Sequence, residues 1–306
     1  MIKYVSISFI LFGLSLAGAS SQSFNEQYEI ILGKDNPEEE LQFLQKWEMA
    51  GGNEAELYTA FFNYYVNASR KENIAIGKDV PNKEKGKYLT LNNSDSTKKG
   101  TTGYIYSDVV YDKELLEKAF YYAQKGINEY PSRLDIRFGL VYVYGLIGDY
   151  DSYTKEIIKT IDYSSQNDNK WLWTNNEQPD DGKKVLLDGL QGYILQLYET
   201  GDNRLLNNMM QIAEATLKYY PDNVESLSNL SIVYLLWKEY DKALEALHAA
   251  EKLAPFDFIV LGNIAQAYKL KGDKKRAIEY YELIAEHGDS EAKKYAQSQI
   301  EILKKK

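Results

Sequence analysis

From Val224 onward the apolar positions of the chain recur twice in the same order. Leu227, Leu230 and Tyr234 fall three and four residues apart with the small Ser231 among them, and Leu261, Ile264, Tyr268 and Ala265 repeat the arrangement 34 residues later. Ala243 and Leu247 stand in the same relation to Ala277 and Tyr281. Such spacing gathers apolar side chains into one stripe of a helix. The small residues then mark where two helices approach closely. Pro221 and Pro255 share the offset and sit where a helix must end, since proline lacks the backbone donor.

The pattern of Leu227, Leu230, Ser231, Tyr234, a turn at Lys238 or Gly272-Asp273, Ala243 or Ala277, and a closing Pro255 resembles the tetratricopeptide repeat (TPR). That resemblance implies units of two antiparallel helices, and residues 223–289 read as two clear copies. The pattern is weaker but legible upstream. After Pro131, Leu140, Val141, Tyr144 and Gly148-Asp149-Tyr150 take their expected places, with Tyr153 where a small residue belongs. "ELLEKAFYYAQKGINEYP" reads as a second helix with Ala119 and Gly126 at tight positions, and residues 182–220 read as another pair around "ETGDN". Pro37, the acidic residues after it and Gly51-Gly52 predict a further hairpin near the N-terminus. Residues 290–306 predict a capping helix. The fold class expected for residues 22–306 is all-α, a right-handed α-solenoid of TPR-like helix hairpins with a small β-hairpin-like insertion.

Two segments interrupt this order. Residues 70–111 are polar, and "KYLTL" and "GYIYS" alternate on either side of "NNSDSTKKGTT", which predicts a two-stranded excursion between helix pairs. The second is "WLWTNNEQPDDG", residues 171–182. If it is extended, Trp171 and Trp173 share a side and form a loop contact for a sugar or a protein. Otherwise it is a long connection whose tryptophans cover a helix pair, with Asn, Asp, Pro and Gly as turn and cap residues.

Composition narrows the setting. Residues 1–21 carry Lys3, an apolar run from Ile7 to Leu16 and Ala17-Gly18-Ala19, the layout of a secretory signal peptide cleaved after Ala19 or Ser21. The expected location is therefore outside the cytoplasm, periplasmic or secreted. No later stretch has the apolar length of a membrane span. With no cysteine, the chain has neither disulfides nor thiolate ligands. A formal net charge of −9 speaks against nucleic acid as a partner.

Candidate chemistry is sparse. His248 and His287 lack companions for a metal set and read as solvated surface residues, and no phosphate loop or nucleophile motif is present. Carboxylates alternate with lysines along helix faces, where they support the helices. No cofactor, metal or catalytic residue is predicted.

The TPR resemblance implies instead a concave groove lined by first helices that holds a protein or peptide. Carried over by position, the lining comprises Phe138 and Tyr142, then Ser228, Asn229, Ile232 and Leu236, then Gly262, Asn263, Gln266 and Leu270. Asn229 and Asn263, one repeat apart, are placed to bond a peptide backbone. Relatives that clamp a C-terminal carboxylate use Lys and Arg where this chain has Asp135, Glu225, Ser228, Ile259 and Gly262. The expected activity is a non-catalytic exported scaffold, and the alternative is a glycan-binding module built on Trp171 and Trp173.

Overall fold

The computed structural model describes residues 23–80, 88–92 and 100–305. The expected signal segment lies outside these residues. Among the described residues, those up to Gly52 and those from Asn53 onward form two separate compact units.

In the first unit, α1 (Phe24–Leu32) opens with a capping box in which the Ser23 hydroxyl accepts from the Glu26 N–H and Glu26 returns the bond to Ser23. Helix α2 (Pro37–Met49) begins as predicted, with the Asn36 side chain accepting from Glu38 and Glu39 and Pro37 at the first position. An aromatic cluster joins the two. Phe24 stacks on Trp47 at 5.7 Å, and the Tyr28 hydroxyl donates to Glu40 at 2.8 Å. Burial pushes the Tyr28 phenol above its ordinary range, with the Glu40 bond adding to the effect. The nine residues of α1 make too short a periodic run to read from the sequence.

In the second unit, α3 (Ala55–Ser69) packs on α4 (Lys113–Glu129), α5 (Leu134–Ile147) on α6 (Tyr150–Gln166), and α7 (Gly182–Glu199) on α8 (Leu206–Tyr219). The pairs α9 (Val224–Leu236) with α10 (Tyr240–Leu253) and α11 (Phe258–Lys271) with α12 (Lys274–His287) follow, and α13 (Ser290–Lys305) packs on α12. The result is an all-α solenoid of TPR-like hairpins. Successive second helices continue onto the next pair, and three adjoining apolar clusters run along the stack.

The same two turns recur. Between hairpins, Tyr130, Tyr220 and Ala254 each precede a proline, and their carbonyls accept from the N–H groups of Arg133, Asn223 and Asp257 at 3.0, 3.0 and 3.1 Å. Within the four hairpins from α5 to α12, the first helix ends on a left-handed residue: Gly148, Gly201, Lys238 or Gly272. Small residues stand where predicted. Ala119 is fully buried, and a Cβ on Gly126 would lie 3.2 Å from both Ile136 and Tyr58. Tyr153, the exception to that rule, is also fully buried, with its hydroxyl donating to the Tyr193 carbonyl at 2.9 Å and to Gln196 at 3.2 Å.

The insertion differs from expectation in two ways. It has three antiparallel strands, β1 (Arg70–Gly77), β2 (Tyr88–Asn92) and β3 (Thr101–Tyr111), in the order β1-β3-β2. It also lies within a hairpin, between α3 and α4, rather than between pairs. The first strand escaped the sequence reading because "RKENIAIG" is rich in poor strand formers, and its Ile74 and Ile76 project into solvent at 83% and 72% exposure. Pairing with β3, from Arg70 opposite Tyr111 to Gly77 opposite Tyr104, makes it a strand.

Candidate functional site

First helices present equivalent positions to one face, and the left-handed residue that closes each helix sets the count. At one distance before it stand Tyr142, Leu195, Ile232 and Gln266; nearer to it stand Leu146, Glu199, Leu236 and Leu270. Tyr142, Leu146, Leu195, Leu236 and Leu270 are between 41 and 54% exposed. Ile232 and Gln266 are half-buried. Leu146 and Leu195 were missed from the sequence, although the same count back from Gly148 and Gly201 identifies them. Among the described residues the Asn263 and Gln266 side chains have no hydrogen-bond partner.

Other members of the predicted lining are committed within the fold. Ser228 and Asn229 are buried, and the Asn229 amide donates to Gln191 on α7 at 2.6 Å, so it is not the free backbone-binding group expected. Packing of α7 against α9 is what consumes it. Gly262 is half-buried on α11. Phe138 lies edge-on to Tyr193 at 5.2 Å, and its carbonyl accepts from the Tyr193 hydroxyl at 2.9 Å. Gly189 makes room for the ring, since a Cβ there would fall 2.4 Å from it. Burial raises the phenols of Tyr153 and Tyr193 above their ordinary range, so both remain neutral donors.

The connection between α6 and α7 folds back over the start of α5. The Leu172 N–H donates to Ser132 at 2.8 Å and its carbonyl accepts from Leu134 at 2.9 Å. This bridge points Trp171 inward, fully buried against Tyr163, while Trp173 is 38% exposed. The two rings therefore do not form the expected paired loop contact: only Leu172 is bridged, and the chain turns away at Trp173, whose backbone N–H donates to the Glu177 carbonyl. Trp173 stands edge-on to Phe138 at 6.3 Å, which places it beside the first-helix face.

Beneath this loop is a polar network that no local pattern announced. Arg133, fully buried, donates to Asp135 through two nitrogens at 2.9 and 2.8 Å and to Glu56 at 2.6 Å. The Asn175 N–H also donates to Glu56, at 2.9 Å, and the Thr174 hydroxyl lies 3.3 Å from Asp135. Arg133 is thus spent within the fold, and Asp135 faces a partner already bound. The matching positions of later repeats hold Glu225 and Ile259, so the face offers no cationic clamp.

His248 is half-buried among polar and aromatic groups, whereas His287 is exposed, as expected. His248 contacts the Tyr268 hydroxyl at 3.1 Å and Glu251 at 2.9 Å, and His287 packs on Phe256 at 4.8 Å. Among the described residues no group of His, Asp and Glu is arranged to hold a metal, and no helix is long and apolar enough to cross a membrane.

No protein-family model and no curated protein matches the sequence. Among solved structures the chain is similar to MamA from Desulfovibrio magneticus RS-1, at 16% identity and a TM-score of 0.37, over 57% of this chain and 88% of that one. It is similar to YrrB, a TPR protein with an unusual peptide-binding site, at 14% identity and a TM-score of 0.38, over 60% and 84%. A thermophilic TPR protein from Thermus thermophilus gives 17% identity and a TM-score of 0.37, over 60% and 90%.

Proposed function

We propose that the first-helix face of the second unit binds a peptide segment of a protein partner, and that the chain acts as an exported, non-catalytic scaffold. The observation that carries this reading is repetition: Tyr142, Leu146, Leu195, Leu236 and Leu270 expose apolar side chains at equivalent positions of successive first helices. Scattered apolar residues on a surface need no explanation, whereas a row in register with the repeat offers a partner one continuous apolar contact. Asn263 and Gln266, uncommitted beside that row, supply donors and acceptors for a peptide backbone. The signal-like residues 1–21 support export to the periplasm or the medium.

Photo-crosslinking tests the face. A photoreactive residue replaces Tyr142, Leu236 or Leu270, with exposed Glu245 on the second helix α10 as the control, and peptides selected on the purified protein are added. Crosslinks at the first-helix positions and weaker binding by Leu236→Ala support the reading. Crosslinks concentrated at Glu245, with Leu236→Ala indifferent, overturn it. Fractionation of cells with N-terminal sequencing tests export, for which the mature chain begins at Ser20 or Gln22.

A further inference from the structure

Trp173, Glu177, Gln178, Pro179 and Val185 line an open cleft of about 320 Å³. Its floor and wall are apolar, while its rim carries one carboxylate and one amide. Among the described residues neither Glu177 nor Gln178 has a side-chain partner, and the Trp173 indole N–H has no acceptor. Nearby cations are already engaged. Lys184 pairs with Asp188 at 2.5 Å, and Lys183 lies 5.2 Å over the Tyr220 ring.

The cleft is held in shape from several sides. The Trp173 N–H donates to the Glu177 carbonyl at 2.7 Å across a turn whose Asn175 and Asn176 are both left-handed, a conformation asparagine tolerates better than most residues. Bonds from Asn175 to Glu56 and from Thr174 to Asp135 fasten that turn to α3 and α5. Phe138 supports the indole edge-on. An aromatic face fixed in this way binds without first having to be ordered.

We propose that this cleft receives an arginine side chain of the bound peptide. The guanidinium plane lies on the Trp173 indole and pairs with the Glu177 carboxylate, and its methylene stem runs along Pro179 and Val185. A planar, weakly hydrated cation satisfies an aromatic face and a carboxylate together, which neither a neutral sugar nor an aliphatic side chain does. The proposal rests on the peptide-binding reading above, because Phe138 is what joins the cleft to the first-helix face.

The test follows the Trp173 indole N–H resonance of the full protein during titration with N-acetyl-arginine amide. N-acetyl-norleucine amide and glucose are parallel probes. The expected result is saturable movement with the arginine probe alone, weakened about fivefold or more by Glu177→Gln but unchanged by Leu236→Ala. Glu177 is an exposed side chain, so its variant keeps the fold. An indole unmoved by millimolar arginine amide overturns the proposal, as does equal movement with norleucine amide or glucose. Should the arginine probe bind while selected peptides ignore Leu236→Ala, the groove reading fails and the cleft stands; the reverse pattern removes the cleft alone.

Discussion

Lys238 occupies a place that three other hairpins give to glycine. Its φ of 63° is left-handed, like those of Gly148, Gly201 and Gly272 at 73°, 68° and 91°. The local bonds are those of the family of turns: its N–H donates to Leu235 at 3.0 Å, and the Glu239 N–H donates to Tyr234 at 2.8 Å. Its side chain is exposed and has no ion-pair partner among the described residues, so replacement removes little besides the Cβ. A left-handed residue with a Cβ costs about 1–2 kcal/mol. Glycine returns part of this by its greater freedom in the unfolded chain, about 0.5–1 kcal/mol. Lys238→Gly is therefore expected to stabilise the protein by about 0.5–1 kcal/mol, which for a chain of this size raises the melting temperature by about 1–3 °C. Because repeat arrays open regionally, amide exchange in α9 and α10 is the sharper assay, and protection should rise there before it rises elsewhere. Gly272→Ala is the reciprocal test, with a loss of about 1 kcal/mol. A lower melting temperature or faster exchange in Lys238→Gly would refute the argument.

Three further outcomes are expected. Trp171→Ala should cost about 3–5 kcal/mol in thermal or denaturant unfolding, whereas Trp173→Ala leaves unfolding nearly unchanged, and acrylamide should quench Trp173 well before Trp171. Gly189→Ala pushes a Cβ into the space of Phe138 and should shift the Trp173 emission or its indole N–H resonance through the edge contact between the two rings, with an overpacking cost of about 1–3 kcal/mol. The Lys71 ammonium, donating to Asp112 at 2.8 Å, holds that carboxyl below the usual range, and the Leu115 and Glu114 N–H groups add to the effect. A depressed folded value means a contribution complete above the ordinary carboxylate range and lost as pH falls through the folded value. Titration of Asp112 by NMR should accordingly move upward in Lys71→Met, and an unmoved midpoint would remove Lys71 as the cause.

Much of the architecture is local and was legible in the chain. The 34-residue offset, the small residues Ser231, Ala243, Ala265 and Ala277, and the prolines at 221 and 255 specify helix faces, close approaches and helix ends through interactions a few residues long. Even the exposed row on the first helices follows by counting from the turn glycines. Other features depended on partners distant in sequence. Whether Trp171 or Trp173 faces the core turns on Leu172 bonding to Ser132 and Leu134. "RKENIAIG" became a strand only because β3 lies beside it, and Asn229 lost its freedom to Gln191 on the neighbouring hairpin. Arg133 is buried because Glu56 meets it from another helix and Asp135 closes the pair. Periodicity and caps describe what each segment does for its own backbone, and so they are written in the sequence itself. Which polar group is left free for a ligand depends on what packs against it, and only the tertiary structure of this protein decided that.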